Sequence, residues 1–300
     1  MPRPASLFLL ACLSLSCRPA AAGDTAWMLH LDRPSTVGDR CTVSATGKQS
    51  RRVETTSTAQ LKEVATENLE VTYEALHEVR AIDPKGHASE ILIRIAHLTT
   101  NDGSGPQEQF PAGTLIKAAA DGNQTRYFLG RDELEGTLSD ALNLAGTKLP
   151  SKNEPSEDDV FLNHLVRRPG ESWTADPKRL ADAIAATSAF LIDPVTSTGE
   201  IRFDQPVTEK DIPALATTTT FRINPVSLGN SGLGQALTES SVTSTTIRLF
   251  PIDPSLPLIK ETLDTSMKLI QRTTTGPKPA GTETTFQRQV TRYCLPLPKE

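Results

Sequence analysis

Glu70-Val71-Thr72-Tyr73-Glu74-Ala75-Leu76, running on to Ile82, and Ser89-Glu90-Ile91-Leu92-Ile93-Arg94-Ile95-Ala96-His97-Leu98-Thr99 decide the fold class. Both alternate apolar and polar residues, the period of two that lays every second side chain on one face of a half-buried strand. In the second run Ile91, Ile93 and Ile95 share one face, while Leu92 and Arg94 share the other. Asp83-Pro84-Lys85-Gly86 between the runs is turn chemistry, so the two read as successive strands.

The same reading extends in both directions. Upstream, Cys41-Thr42-Val43-Ser44-Ala45-Thr46 alternates in the same way. Downstream, Asn101-Asp102-Gly103-Ser104-Gly105-Pro106 is a loop, and strands resume at 114–119 and 125–129 around the turn Asp121-Gly122-Asn123. The period then changes. Leu134, Leu138, Ala141, Leu142 and Ala145 recur at helical spacing, and Asp132 with Glu135 resembles a capping box. Residues 150–155 read as a linker. Ser156-Glu157-Asp158-Asp159 predicts the cap of a short helix through Leu165. Asp176 as N-cap and Pro177 at the first helical position predict another, with Leu180, Ala183 and Ile184 on one face. After Pro194, the Thr-, Val- and Ile-rich segments 200–204, 216–223, 237–250, 258–274 and 284–297 return to strand, with turns at 229–234, Asp253-Pro254 and 276–281.

Short turns between successive strands favour an antiparallel meander. The expected fold is mainly β with a few helices (α+β): a curved antiparallel meander sheet or half-barrel of about ten strands, with the helices packed on one face. Pro34-Ser35-Thr36-Val37-Gly38-Asp39-Arg40-Cys41 and Arg168-Pro169-Gly170-Glu171-Ser172-Trp173 each place Gly-acid at the head of a run of strands. An N-terminal β unit over 23–150 ending in a helix, and a helical segment with a C-terminal meander over 151–300, therefore form one continuous sheet or two similar units.

The amino terminus reads as a secretory signal over residues 1–22. Arg3 provides the basic start, Leu7-Phe8-Leu9-Leu10-Ala11-Cys12-Leu13 the apolar stretch, and Ala20-Ala21-Ala22 the small side chains at a cleavage site. Lipid attachment at Cys17 or Cys12 is the weaker alternative. The expected location is periplasmic or extracellular, with no membrane span in the mature chain, because no later segment approaches the roughly 20 apolar residues a span requires. Cleavage removes Arg3 and Arg18 and no acid, taking the net charge from −5 to −7. A mildly acidic, evenly mixed chain has no electrostatic reason to bind nucleic acid. Cys41 and Cys294 remain as an even pair in an oxidising compartment, which predicts a disulfide. That bond would bring the first and last strands side by side.

A resemblance can be placed on Ser156-Glu157-Asp158-Asp159-Val160-Phe161, the turn Arg168-Pro169-Gly170-Glu171-Ser172-Trp173 and the helix from Asp176. This stretch, about residues 156–190, resembles a pattern in uncharacterised exported bacterial β-rich proteins. The overall layout is similar to the half-barrels that carry lipoproteins or lipids across the bacterial envelope. The resemblance implies an architecture and a compartment, and no activity.

Signatures of catalysis are missing. His77, His87 and His97 lie ten apart, a spacing that matches neither helix nor strand neighbours, and read as surface or sheet-edge histidines rather than a zinc site. His30 and His164 are isolated. No Gly-x-Ser-x-Gly elbow occurs. Gly229-Asn230-Ser231-Gly232-Leu233-Gly234 lacks the Lys-Ser/Thr ending of a phosphate loop and reads as a hairpin loop. The acid pairs Glu157-Asp158-Asp159 and Asp132-Glu133 fall at predicted helix starts, where the helix dipole favours them. Asn123-Gln124-Thr125 is a glycosylation sequon, meaningful only in a eukaryotic secretory route. Trp173 reads as a plug between helix and sheet. The expectation is a protein without catalytic residues, metal or cofactor that binds an apolar or lipid-like ligand or an envelope protein. The alternatives are an interaction module without a cavity and, third, a hydrolase with dispersed carboxylates.

Overall fold

The computed structural model describes residues 25–57, 61–150, 155–161, 165–187, 190–224, 226–228, 236–237, 240–273 and 280–298. The expected leader with Cys12 and Cys17, most of the 150–155 linker, His164 and the 229–234 loop lie outside the described residues. In chain order the elements are β1 (Trp27–Met28), β2 (Arg40–Thr56), β3 (Lys62–Ile82), β4 (Ala88–Asn101), β5 (Gln107–Glu108), β6 (Leu115–Asp121), β7 (Gln124–Leu129) and β8 (Asp132–Leu134). The helices α1 (Thr137–Leu144) and α2 (Glu157–Val160) follow, then β9 (Val166–Arg167), β10 (Ser172–Thr174) and α3 (Pro177–Thr187). The chain continues through β11 (Phe190–Ile192), β12 (Thr198–Glu209), β13 (Ile212–Ile223), β14 (Val226–Leu228), β15 (Ala236–Leu237), β16 (Ser241–Pro251), β17 (Lys260–Thr273) and β18 (Ala280–Pro296).

One antiparallel sheet dominates, in the order β10-β12-β13-β16-β17-β18-β2-β3-β4-β6-β7-β8, with β5 beside β4. It consists of two meanders joined where the last strand, β18, pairs with β2 from Gly281 opposite Thr56 to Pro296 opposite Cys41. The order is linear, and the edge strands β10 and β8 lie at its opposite ends. The expected half-barrel is therefore corrected: the sheet is open, neither closed nor curled. Closure needs an unbroken circuit of strand pairing, and both edges end in three-residue strands beside helical connections.

The two Gly-acid turns are built alike. Gly38 and Gly170 have φ of 89° and 88°, a left-handed conformation that glycine adopts without a Cβ penalty. Asp39 accepts from the Thr36 N–H at 2.7 Å, and Glu171 accepts from the Arg168 N–H at 3.1 Å. Each turn then ties to the next long strand of its meander. Gly38 N–H donates to Val79 O and Val79 N–H to Asp39 O; likewise Gly170 N–H donates to Phe203 O and Phe203 N–H to Glu171 O.

Among the described residues, the three helices α1, α2 and α3 pack on one face of the sheet. Leu69, Val71, Tyr73, Ala75 and His77 of β3 point to this face together with Val43 and Ala45 of β2, and all are buried. Ala141, Leu142 and Leu144 of α1 cover them. A Cβ at Gly47 would lie 2.6 Å from Leu144 Cγ, so the helix approaches β2 where the strand has no side chain. Along the other half, Leu180 of α3 with Val160 and Phe161 packs on Ile201 and Phe250.

Helix starts are partly as expected. Ser156 Oγ accepts from Asp159 N–H at 3.3 Å and Asp176 Oδ1 from Arg179 N–H at 2.9 Å. The Asp132–Glu135 capping box is not formed. Asp132–Leu134 instead pairs with β7, and α1 begins after Gly136 with no side-chain cap.

Candidate functional site

At one end of β18, β2, β3 and β4 the apolar face opens into a cavity of about 710 Å³. Its floor is the ends of these strands, with Cys41, His77, Val79, Ile91, Arg292 and Cys294. Residues 146–150 after α1 form one wall, Ser255-Leu256-Pro257-Leu258 between β16 and β17 a second, and the 33–39 segment before β2 a third. The lining is mostly apolar and includes the basic residues Arg33, Arg40, Lys148 and Arg292.

Each wall is fixed by hydrogen bonds. Tyr127 donates to Asn143 Oδ1 at 2.9 Å, Thr147 Oγ1 lies 2.8 Å from the Tyr127 hydroxyl, and Leu149 N–H donates to Thr125 Oγ1 at 2.8 Å. Arg33 donates through both Nη atoms to the carbonyls of Asp253 and Pro251, at 3.1 and 2.8 Å, which joins the 33–39 segment to the β16–β17 turn. Ser35 N–H donates to Gly86 O at 2.8 Å, anchoring the other end of that segment on the β3–β4 turn.

The polar groups on the floor are unusual for a sheet interior. His77 is 5% exposed, and its Nε2 lies 2.6 Å from the Tyr73 hydroxyl. Burial, with the positive charge of Arg292 nearby, pushes the His77 pKa down to about 3, so the ring is neutral at ordinary pH. Burial likewise raises the Tyr73 phenol. The surface or sheet-edge position expected for His77 is thus corrected: it is in phase with Tyr73 and Ala75 on the buried face of β3. Cys41 and Cys294 are free and share a hydrogen bond that, with burial, raises the Cys41 pKa. The same bond lowers that of Cys294.

Beside the cavity a line of charge crosses the apolar face. Arg292 stands opposite Glu261, and Glu261 stands opposite Arg248 in the sheet register. Arg248 Nε donates to Glu261 Oε1 at 2.8 Å, and its Nη1 pairs with Glu157 at the start of α2. Burial raises the Glu157 pKa against the pull of Arg248. Arg288 donates to the Asn143 carbonyl at 2.7 Å. A Cβ at Gly146 would lie 2.8 Å from Arg292 Cδ, so the Arg292 side chain passes close under the wall that follows α1.

The acid run Glu157-Asp158-Asp159 is accounted for by such structural contacts. Asp158 Oδ1 accepts from Leu31 N–H at 2.9 Å, and Arg179 approaches Asp159. Asp132-Glu133 lies in an edge strand rather than at a helix start. Trp173 is half-buried in β10 against Leu29, Phe203 and Leu215, with the Arg167 guanidinium 4.7 Å above its ring. Asn123 is exposed in the β6–β7 turn. Among the described residues no group of three or more His, Cys, Asp or Glu could hold a metal ion. No helix among them is long and apolar enough to cross a membrane. A second recess of about 420 Å³, lined by Lys48, Ser50, Asn68, Glu70 and Gln289 among others, lies largely on the opposite, polar face.

Sequence reasoning missed Arg248, Glu261, Arg288 and Arg292 as half-buried charges on the helix-covered face. The signal was available: Arg288, Val290, Arg292 and Cys294 alternate with the period of their strand, so the two arginines share the face of two buried residues.

No family model matches the chain, and no curated protein does. Among solved structures it is similar to one described as "Lipid-protein interactions in lipovitellin", with 6% identity and a TM-score of 0.32 over 88% of this chain. The chain spans 26% of that longer one. A likeness this loose says nothing about ligand or activity.

Proposed function

We propose that the protein binds an apolar small molecule in the cavity at the end of β18, β2, β3 and β4, without transforming it. The observation that carries this reading is the cavity itself. Its volume of about 710 Å³ lies within the roughly 300–1,000 Å³ of small-molecule sites. Such sites combine mostly apolar walls with a few placed polar groups, and this lining has both. The walls are held by hydrogen bonds rather than formed on binding, which lowers the ordering cost of association. The rival reading, an interaction module with no cavity, predicts an apolar face filled throughout by the helices. A void of this size weighs against it.

Titration of the purified chain with the neutral fluorescent probe N-phenyl-1-naphthylamine tests the reading. Saturable one-to-one binding is expected, and Ala88→Trp, which fills the cavity from the start of β4, is expected to abolish it while leaving the melting temperature within a few degrees. Binding that is unsaturable, or untouched in a folded Ala88→Trp variant, refutes the proposal.

A further inference from the structure

We propose that the occupant of this cavity is a long-chain carboxylate, its head group against Arg292 on the floor and its chain against the apolar walls; this rests on the ligand-binding reading above. Three observations carry the assignment of charge. First, the ionisable lining is basic: Arg33, Arg40, Lys148 and Arg292 face the single acid Asp39. Both oxygens of Asp39 are engaged by Thr36, at 2.7 Å from its N–H and 2.6 Å from its hydroxyl. Second, Arg33 Nε and Arg292 Nε, both on lining residues, are buried nitrogens with no hydrogen-bond partner. Unpaired buried polar atoms are rare and call for a partner.

Third, the carboxylates of the charge line beside the cavity are bonded to another guanidinium than Arg292. The guanidiniums of Arg248, Arg288 and Arg292 face the carboxylates of Glu157 and Glu261, and both carboxylates bond to Arg248. Arg292 stands opposite Glu261 in the sheet and borders the cavity. Arg33 is better compensated: its Nη atoms are taken up by carbonyls, and Asp158 and Asp253 stand near it. Arg292 thus joins a place in the lining to a buried Nε that no protein acceptor meets. A guanidinium presents two parallel N–H bonds through Nε and one Nη, the fork that a planar carboxylate accepts. A neutral apolar ligand would leave that Nε unpaired.

The test uses the purified full chain and displacement of N-phenyl-1-naphthylamine by three competitors of similar chain length: oleate, oleyl alcohol and an oleoyl lysophosphatidate. Oleate is expected to bind at least ten-fold more tightly than the alcohol. Arg292→Gln is expected to bring the two within about three-fold by weakening oleate alone. The wild-type comparison needs no variant, so it decides the matter even if Arg292→Gln does not fold. Equal affinity for oleate and alcohol overturns the head-group assignment and leaves the apolar site standing. Lysophosphatidate ten-fold tighter than oleate overturns the carboxylate in favour of a phosphate. Displacement by none of the three overturns the long-chain carboxylate and leaves the probe-binding site standing.

Discussion

Replacing Gly47 by alanine adds one methyl group at the place where α1 meets the sheet. The new Cβ would lie 2.6 Å from Leu144 Cγ, 3.1 Å from Leu144 Cδ1 and 3.2 Å from the Leu144 carbonyl oxygen. The first two contacts can be relieved by a rotamer change, at the expense of a side chain that is 1% exposed. The third involves backbone, so the helix end itself has to shift. Overpacking of this kind costs about 1–3 kcal/mol, and alanine recovers roughly 0.5–1 kcal/mol of the entropy that glycine loses in a strand. A net loss of up to about 2.5 kcal/mol is expected, read as a lower urea midpoint at unchanged slope. Because residues 146–150 follow α1 directly and wall the cavity, affinity for N-phenyl-1-naphthylamine is expected to fall as well. Leu144→Ala alone is expected to cost about 2–5 kcal/mol by leaving a void. The double variant is expected to lose less than the sum, since the methyl group enters the vacated space. A stabilising Gly47→Ala, or strict additivity with Leu144→Ala, refutes the docking of α1 on β2 and with it the cavity wall.

Two further outcomes follow from the cavity floor. The unfolded chain protonates His77 near pH 6.5, whereas the folded chain holds it neutral down to about 3; the unfolded state therefore binds more protons in that window, and stability falls as pH drops. At about 1.4 kcal/mol per pH unit, acidification from pH 6.5 to 5 costs on the order of 2 kcal/mol through this residue. His77→Gln is expected to remove that part of the slope in urea midpoints, and an identical slope in both proteins refutes it. Cys41 and Cys294, already sharing a hydrogen bond, are expected to form the disulfide on oxidation. Closing the loop between them stabilises the fold by about 5 kcal/mol in the chain-entropy picture. Peptide mass mapping of the oxidised, thiol-blocked protein should show the two joined, and free thiols at both positions refute it.

Much of the sheet was legible because its buried strands announce themselves by alternation. Ile91, Ile93 and Ile95, and the turns at Asp83 and Asp121, appear in the structure where the pattern put them. The failures share a cause. Residues 47–69 gave no strand signal because the far ends of β2 and β3 are polar and solvated on both sides, as with Arg51, Arg52, Glu63 and Glu67. Their pairing is set by the neighbouring strands, a non-local constraint that a local period does not carry. The half-barrel failed likewise, since whether two edges meet depends on the whole strand order. The site was the least legible part. His77 and Arg292 read as isolated polar residues along the chain and become neighbours only when β3 and β18 are brought together by β2.

The seam between β18 and β2 also sets a timetable for biosynthesis. Chains emerge at about 5–20 residues per second, so β2 waits on the order of 10–50 s for the strand that completes its ladder. During that interval a seventeen-residue strand presents a row of unsatisfied amides and carbonyls. The carboxy-terminal residues are thus the keystone of the sheet. A nascent chain that stops before Ala280 leaves two long edges, on β2 and β17, open to other chains.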